Sequence, residues 1–560
     1  MCSHMRNWQT IENTAFDLIV IGGGSNGAGV ARDAALRGLK TLLIDKDDFG
    51  SGTTGWSSRL IHGGLRYLEY FEFNLVRESL REREVLLRVA PHLVRPLQMS
   101  IPVYASGSRA FWEIQAGMLL YDVLSFDKSL PNHRILPLQK CLQLFRHLNP
   151  KGLKGAAQYF DAQVVHAERL CLELVLSAQT AGATTLNYAQ VSQLQVEGDR
   201  VTGITLDDLI AETTHTVQLS PQTVVINTAG PWVDQVLQGI QSPTPKQERK
   251  IGGTKGSHII VDPFPGAPDA ALYAEAEVDN RPFFILPWAN QYLIGTTDIR
   301  YSGDLDRVKA DDAEIDYLLN ETNRVIPCAQ LSRADIRFTY AGVRPLPYSE
   351  GKKTSSITRS HVLYDHCKDG ITNLISLIGG KLTTYRQVAE EMVDAVLKKQ
   401  GRGPIPCVTK QELFPGAISL NDTLIETMIS KYQSLVSRET VFHLFSIYGS
   451  FAVKILALID ETPELAEPIT PSLLDIKAQV VYAVQSEHAH TLVDICVRRT
   501  ILAMQTNYGF DVLPAVTAIL KQYCNWSDAD CDHHIQHYHR FMEANSLPDF
   551  VTAQTTAPIR

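Results

Sequence analysis

Residues 17–45 read DLIVIGGGSNGAGVARDAALRGLKTLLID, and this stretch decides the fold. Asp17–Ile21 is a short apolar run read as a buried strand, and Thr41–Ile44 is a second. Between them Gly22-Gly23-Gly24-Ser25-Asn26-Gly27 satisfies G-x-G-x-x-G, and the alanine-rich segment after it reads as a helix. Each glycine has a physical task. Gly22 permits the tight turn, Gly24 lets a pyrophosphate approach the backbone, and Gly27 lets helix and sheet pack closely. The helix N-terminus offers unpaired N–H groups to phosphate, and Asp45, at the end of the second strand, is placed to accept from a ribose. The spacing predicts a βαβ dinucleotide fold but leaves open which dinucleotide.

Outward from this unit, 51–65 reads SGTTGWSSRLIHGGL, small and polar apart from Trp56, whose placement the sequence does not fix. Such a segment lets a flat ring approach the backbone. VVINTAGPW (224–232) and LIGGKLTTYR (377–386) each place glycine at the end of an apolar run, where backbone can touch a ligand. A charged amphipathic helix is expected over Glu69–Val89, ending at Pro91, with its arginines on a solvated face. From about 185 to 345 short strand signals dominate, and His258 is read as preceding one of them, in Lys255-Gly256-Ser257-His258. Beyond 405–415 the signals turn helical, as in Leu473–Gln485 and 487–506. The fold class expected is α/β. A discontinuous Rossmann-like dinucleotide domain (14–95, 155–240, 345–405) carries an inserted mixed or antiparallel-sheet substrate domain (96–154, 241–344), and a helical domain follows at 410–545.

Composition sets limits. The 560 residues are 44% hydrophobic and 20% charged, as in soluble globular proteins. A net charge of −9 argues against a nucleic-acid partner held by global charge. The first residues lack a secretory apolar core, and no uninterrupted apolar run approaches the roughly 18–20 residues of a spanning helix. Nine scattered cysteines without C-x-x-C read as thiols in a reducing compartment. Cys524, Cys531, His533, His534, His537 and His539 crowd together, with His533 and His537 four apart. The glutamate of H-E-x-x-H is replaced by His534, so the expectation is a polar helix face and no metal.

The strings IGGGSNGAGVARDAALRG, SSRLIHGGLRYLEYFEFNLVRESLREREVLL, NTAGPWV, KGSHII, IGTTD, YAGVRPL and GGKLTTYR, in this order, resemble the FAD-dependent glycerol-3-phosphate dehydrogenases of the D-amino-acid-oxidase-like flavoproteins. The resemblance covers roughly 15–400 and extends to the helical part. It implies oxidation of sn-glycerol 3-phosphate at C2 to dihydroxyacetone phosphate, with FAD taking the hydride and a membrane quinone receiving the electrons. It also implies a cytoplasmic protein held peripherally on the inner face of the cell membrane. The helical domain would cap the substrate region or support a homodimer. Related oxidases pass electrons to oxygen and commonly carry an insertion in mid-chain; none is evident here.

By the same resemblance Gly22, Gly24, Asn26, Gly27 and Asp45 hold the ADP half of FAD. Thr53, Thr54, Ser57, Ser58, His62, Gly63, Gly64 and Leu65 line the flavin side. Ala229, Gly230, Asp298, Lys381, Leu382 and Thr383 approach the cofactor from elsewhere. Arg66, Arg359 and Lys381 form a phosphate cradle, in keeping with how guanidinium groups bind phosphate oxygens. Arg344, Tyr67 and His258 surround the C2 hydroxyl, with His258 preferred to His62 as the base and Arg344 stabilising alkoxide charge. The family often has glutamate where Asp45 stands, which implies a shorter reach to the ribose.

Overall fold

The computed structural model describes residues 6–241, 248–351, 357–505 and 507–551. Its first sheet has six strands in the order Val362–Asp365, Leu374–Ile378, Val224–Asn227, Leu18–Ile21, Thr41–Ile44 and Thr184–Leu186. Leu18–Ile21 pairs in parallel with both neighbours, Ile19 standing beside Val225 and Leu42. Alternation explains why these strands are apolar on both faces. Leu18, Val20 and Leu43 pack against the helices Ser25–Leu36, Ala167–Thr180 and Tyr385–Lys399. Ile19, Ile21 and Leu42 face Leu194, Ile204 and Val217 of a four-stranded sheet that covers the other side.

A second large sheet of ten strands, eight along one path and two pairing off it, carries the inserted region. Val94–Tyr104 pairs antiparallel with Leu153–Val164, so the expected boundary at 155 falls inside a strand of this sheet. The strand preceding the substrate side, Thr254–Val261, begins four residues earlier than the sequence suggested, so His258 lies within it, opposite Gly295 and Tyr340.

Two further expectations change. Instead of one helix over 69–89 there is a 3₁₀ turn, Leu65–Tyr70, then a break at Phe71 (φ 57°), then the helix Phe73–Val89. Gly64 caps the 3₁₀ turn with φ 76°, a conformation that favours glycine, and this geometry aims Arg66 and Tyr67 inward. Nor do the helix's arginines all face solvent. Arg83 is fully buried, with its guanidinium 2.7 Å from Asp161 and 2.9 Å from Glu84.

From Pro415 to Val551 the described chain is helical apart from connecting segments and an isolated bridge, Pro468–Ile476. Helix Leu513–Cys524 packs on Lys477–Ser486, and their apolar residues merge with the floor of the ten-stranded sheet in one core. Trp56 sits at this junction, its ring 5.4 Å from Tyr340 and 6.5 Å from Phe541. Buried ion pairs tie the helical part to the dinucleotide fold. Arg499 holds Asp48 at 2.5 and 2.9 Å, and Arg169 holds Glu487 at 2.8 Å. The segment Arg438–Glu461, though not an uninterrupted apolar run, is long and apolar enough on average to cross a membrane by length and composition. Gly449 interrupts it, and half of its most apolar window is buried in the core. No disulfide forms among the described cysteines.

Candidate active site

Two cavities meet at the end of the six-stranded sheet. The first, of 350 Å³, starts at the glycine turn and runs past Thr53 and Thr54 to His62, Lys381, Leu382 and Thr383. The turn is packed so tightly that side chains are excluded. A Cβ on Gly22 would lie 2.8 Å from the Ala229 backbone, and one on Gly27 1.8 Å from the Gly22 carbonyl oxygen. Gly27 therefore serves packing rather than lining the cavity, whereas Gly22, Gly24 and Asn26 do line it. The Ser25 N–H donates to Thr54 Oγ1 (3.0 Å), which joins the helix start to the 51–58 loop.

Asp45 lines the same cavity and accepts from Gly23 N–H (2.5 Å) and Asp47 N–H (2.9 Å). Burial pushes its carboxyl up to about 7, and the two backbone donors oppose that rise. Asn26 Oδ1 is buried with no partner in the protein. A buried amide oxygen facing an elongated cavity wants a donor from a ligand. This orphan, the glycine cradle and the length of the cavity fit a dinucleotide that carries a flat ring system.

Most residues the resemblance assigned to the cofactor do line this cavity, including Ser57, Ser58, Ala229 and Gly230. Five do not. Gly27 and Gly63 are packing positions: a Cβ on Gly63 would meet Tyr121 and Leu80. Gly64 caps the 3₁₀ turn, Leu65 faces a separate cavity, and Asp298 lies among arginines in the second cavity. The sequence reading missed Lys46, Trp232 and Ala189–Val191, the start of a strand of the four-stranded sheet, which also line the first cavity. The only available signal for Ala189–Val191 was their place just after the third parallel strand.

The second cavity, of 190 Å³, shares Ser58, His62, Tyr67, Arg344 and Arg359 with the first, and adds Arg66, Arg281 and Asp298. Asp298 is the hub of its charges. Its carboxylate lies 3.2 Å from Arg344 and 3.4 Å from Arg359, and it also pairs with Arg281, which the sequence reading did not single out. Burial opposes its ionisation, but the guanidinium groups of Arg344, Arg359 and Arg281 outweigh it and hold the carboxyl below its usual range. Arg359 keeps one guanidinium nitrogen, Nη1, buried and unpartnered.

Lys381 Nζ sits 3.9 Å from the centre of the Tyr67 ring, and burial pulls its ammonium down to about 7. Of the cations named from the sequence, Arg344 and Arg359 line both cavities, Lys381 the first only, and Arg66 the second but not the first. His62 lines both cavities, and burial lowers its pKa; its backbone N–H donates to Thr383 Oγ1 (3.1 Å). His258, the base preferred from sequence, lines neither cavity. It stands behind Ser58, with Nε2 2.8 Å from Ser58 Oγ and its ring stacked on Tyr340. Burial, reinforced by Arg344 and Arg59, holds it well below its ordinary pKa. Among the described residues no three His, Cys, Asp or Glu side chains are grouped to hold a metal ion. The C-terminal histidines pack on rings instead, His534 on Trp526 and His539 on Phe510.

Comparison with known proteins agrees with this geometry. Residues 17–386 match the family model for FAD dependent oxidoreductases, and 407–531 match that of the C-terminal domain of alpha-glycerophosphate oxidase. The chain is 63% identical to a glycerol-3-phosphate dehydrogenase of Synechocystis sp., covering 98% of this chain and all of that one. It is 32% identical to the mitochondrial glycerol-3-phosphate dehydrogenase of Mesocricetus auratus, covering 93% of this chain and 72% of that one. A solved glycerol-3-phosphate dehydrogenase from Bacillus halodurans, complexed with FAD, superposes with a TM-score of 0.77 at 26% identity, covering 96% of each chain. The chain therefore belongs to the FAD-dependent oxidoreductases, among the glycerol-3-phosphate dehydrogenases, and FAD is its cofactor.

Proposed function

We propose that this protein oxidises sn-glycerol 3-phosphate to dihydroxyacetone phosphate and passes the electrons to a quinone while seated on the cytoplasmic face of a membrane. The observation that carries the substrate assignment is the junction of the two cavities, where Arg344 and Arg359 line both, Arg66 lines the small cavity, and Lys381 stands on the cofactor side against the shared Tyr67. A three-carbon phosphate ester fits 190 Å³, and its dianion supplies the partner that Arg359 Nη1 lacks. FAD, when bound in the first cavity, supplies the two-electron acceptor for the C2 hydride.

The chain's own residues do the rest. Arg359 and Lys381 bind the phosphate, and Arg66 closes the ring of charge from the 3₁₀ turn. Asp298 positions the arginines: it holds Arg344 and Arg359 in place before substrate arrives, so little reorganisation is needed when charge develops. Arg344 stabilises the oxygen at C2 as its proton leaves. His62 takes that proton, because it is neutral at pH 7 and lines both cavities. This replaces His258 in the role expected from sequence. His258 supports Ser58 from behind and reaches the cavity only through that hydroxyl.

The test is anaerobic. Reduced holoenzyme, prepared with glycerol 3-phosphate, is mixed with a short-chain quinone or with oxygen. Faster reoxidation by quinone supports the dehydrogenase. Preferential reoxidation by oxygen, with stoichiometric hydrogen peroxide, makes it an oxidase.

A further inference from the structure

His62 is held on both sides by side chains. The peptide before it is tied by its own N–H, which donates to Thr383 Oγ1 at 3.1 Å. The peptide after it is tied by the Gly63 N–H, which donates to Tyr121 Oη at 3.0 Å and makes a longer contact, 3.4 Å, with Asp161 Oδ1. Peptide units are planar, so fixing the units on both sides of a residue fixes its φ and ψ. The two ties therefore set the direction in which the His62 Cβ, and with it the imidazole, enters the cavities. Glycine at 63 permits so close an approach, since a Cβ there would lie 2.4 Å from the Tyr121 hydroxyl.

The second tie belongs to one buried network. Tyr121 Oη lies 2.9 Å from both carboxylate oxygens of Asp161 and donates to them, and Arg83 Nη1 donates to Oδ1 at 2.7 Å. Asp161 and Tyr121 are each 1% exposed. The three side chains come from three elements, the strand Leu153–Val164 and the helices Phe111–Leu124 and Phe73–Val89, which meet behind residues 62–64. None of them lines either cavity, so substrate contact does not explain them. Stability does not explain them well either, because a buried ion pair often contributes no more than packed apolar residues of the same volume. On its cavity side His62 shares walls with Tyr67, Arg344 and Arg359, with Asp298 in the small cavity and with Lys381 in the larger one. Burial lowers the His62 pKa most, Lys381 and Arg83 lower it further, and Asp161 opposes them.

We infer that Asp161 and Tyr121 are positioning residues for His62: through the Gly63 peptide they aim its imidazole at the C2 hydroxyl, and the Asp161 carboxylate stabilises the imidazolium formed there. The inference rests on the reading of His62 as the base. As the hydride leaves C2 for the flavin, the hydroxyl proton passes to His62, which becomes a cation close to Lys381 and Arg344. A fixed anion behind it offsets that repulsion, and because the anion is already held by Arg83 and Tyr121 it need not move when the charge appears.

The test is the rate of flavin reduction by saturating glycerol 3-phosphate in anaerobic stopped flow, across pH, for holoenzyme of wild type, Y121F and D161N, alone and combined with H62Q. Y121F keeps the ring and loses the hydroxyl; reduction should slow about tenfold with the substrate dissociation constant unchanged. D161N should slow it about thirtyfold and move the acid limb of the profile to lower pH, because an anion that favours protonated His62 is gone. Glu84 and the Phe160 carbonyl still hold Arg83 in that variant. If D161N folds poorly, Y121F and its combination with H62Q decide alone. In the H62Q background either change should cost less than about twofold, because the network acts through the imidazole. Undiminished rates in both single variants, or an acid limb unmoved in D161N, would overturn the inference. So would equal losses with and without His62, since the network would then act elsewhere. H62Q reduced as fast as wild type would instead remove His62 as the base, and this inference with it.

Discussion

Substitution of Arg359 by alanine separates substrate recognition from chemistry. In the substrate-free protein this guanidinium spends little of its capacity. Nη2 makes a long 3.4 Å contact with Asp298, and Nη1 is buried without a partner. Its loss leaves Asp298 with Arg344 and Arg281, so no carboxylate is left bare and the fold should survive. A charge-assisted hydrogen bond is worth about 1.5–3 kcal/mol. Two such bonds to a phosphate in a partly desolvated site therefore give roughly 3–4 kcal/mol, because geometric strain and water entering the vacated space prevent full additivity. That corresponds to a fall in kcat/KM for glycerol 3-phosphate of about 150- to 1,000-fold. Free glycerol has no phosphate, so its already low kcat/KM should change by less than about threefold. Steady-state rates with a dye acceptor on both substrates, with flavin content and Tm as controls, give the comparison. Equal losses on the two substrates would refute the phosphate contact, since a general disturbance of the site moves both alike.

Because the Lys381 ammonium is pulled down to about 7, it is charged below that pH and neutral above it. With wild type, kcat/KM for glycerol 3-phosphate should therefore fall as pH rises through about 7; K381M should be lower throughout and lack that limb, and a wild-type profile flat from pH 6 to 9 would contradict the assignment. H62Q should lower kcat at least about a hundredfold with little change in KM. H258A, one residue removed from the cavity, should cost less than H62Q; the opposite order in kcat would return the base to His258. D48N breaks the buried pair with Arg499 that fixes the 45–52 loop to the helical domain, and should destabilise the protein by about 3–5 kcal/mol. It should also release FAD faster than wild type, read as flavin fluorescence appearing on dilution. Unchanged release would confine Arg499 to a structural role.

The dinucleotide half was legible because its constraints are local. Strand, glycine turn, helix and acidic strand end all lie within residues 17–45, and the tightness at Gly22 and Gly27 is what those glycines announce. The proposed phosphate cradle was assembled only through resemblance. Arg66, Arg359 and Lys381 come from a 3₁₀ turn, a loop before an edge strand and a loop before a helix, and no spacing rule joins them. Asp298 was misassigned to the cofactor for the same reason, since the arginines that surround it are 17, 46 and 61 residues away along the chain. His258 shows a further limit. A polar residue inside an apolar strand signals burial, but not whether its ring faces a cavity or rests behind a serine. The arginines of the 73–89 helix looked solvated because Asp161, the partner of Arg83, lies 78 residues later.

We propose that the junction of the two cavities brings the phosphate-binding cations, His62 and the cofactor together. A crystal structure of the holoenzyme with dihydroxyacetone phosphate tests it directly. The phosphate is expected within hydrogen-bonding distance of Arg359 and Lys381, C2 stacked over the isoalloxazine, and the C2 oxygen within reach of Arg344 and His62. Phosphate density on any other surface, with Arg359 still bound only to Asp298, would contradict it.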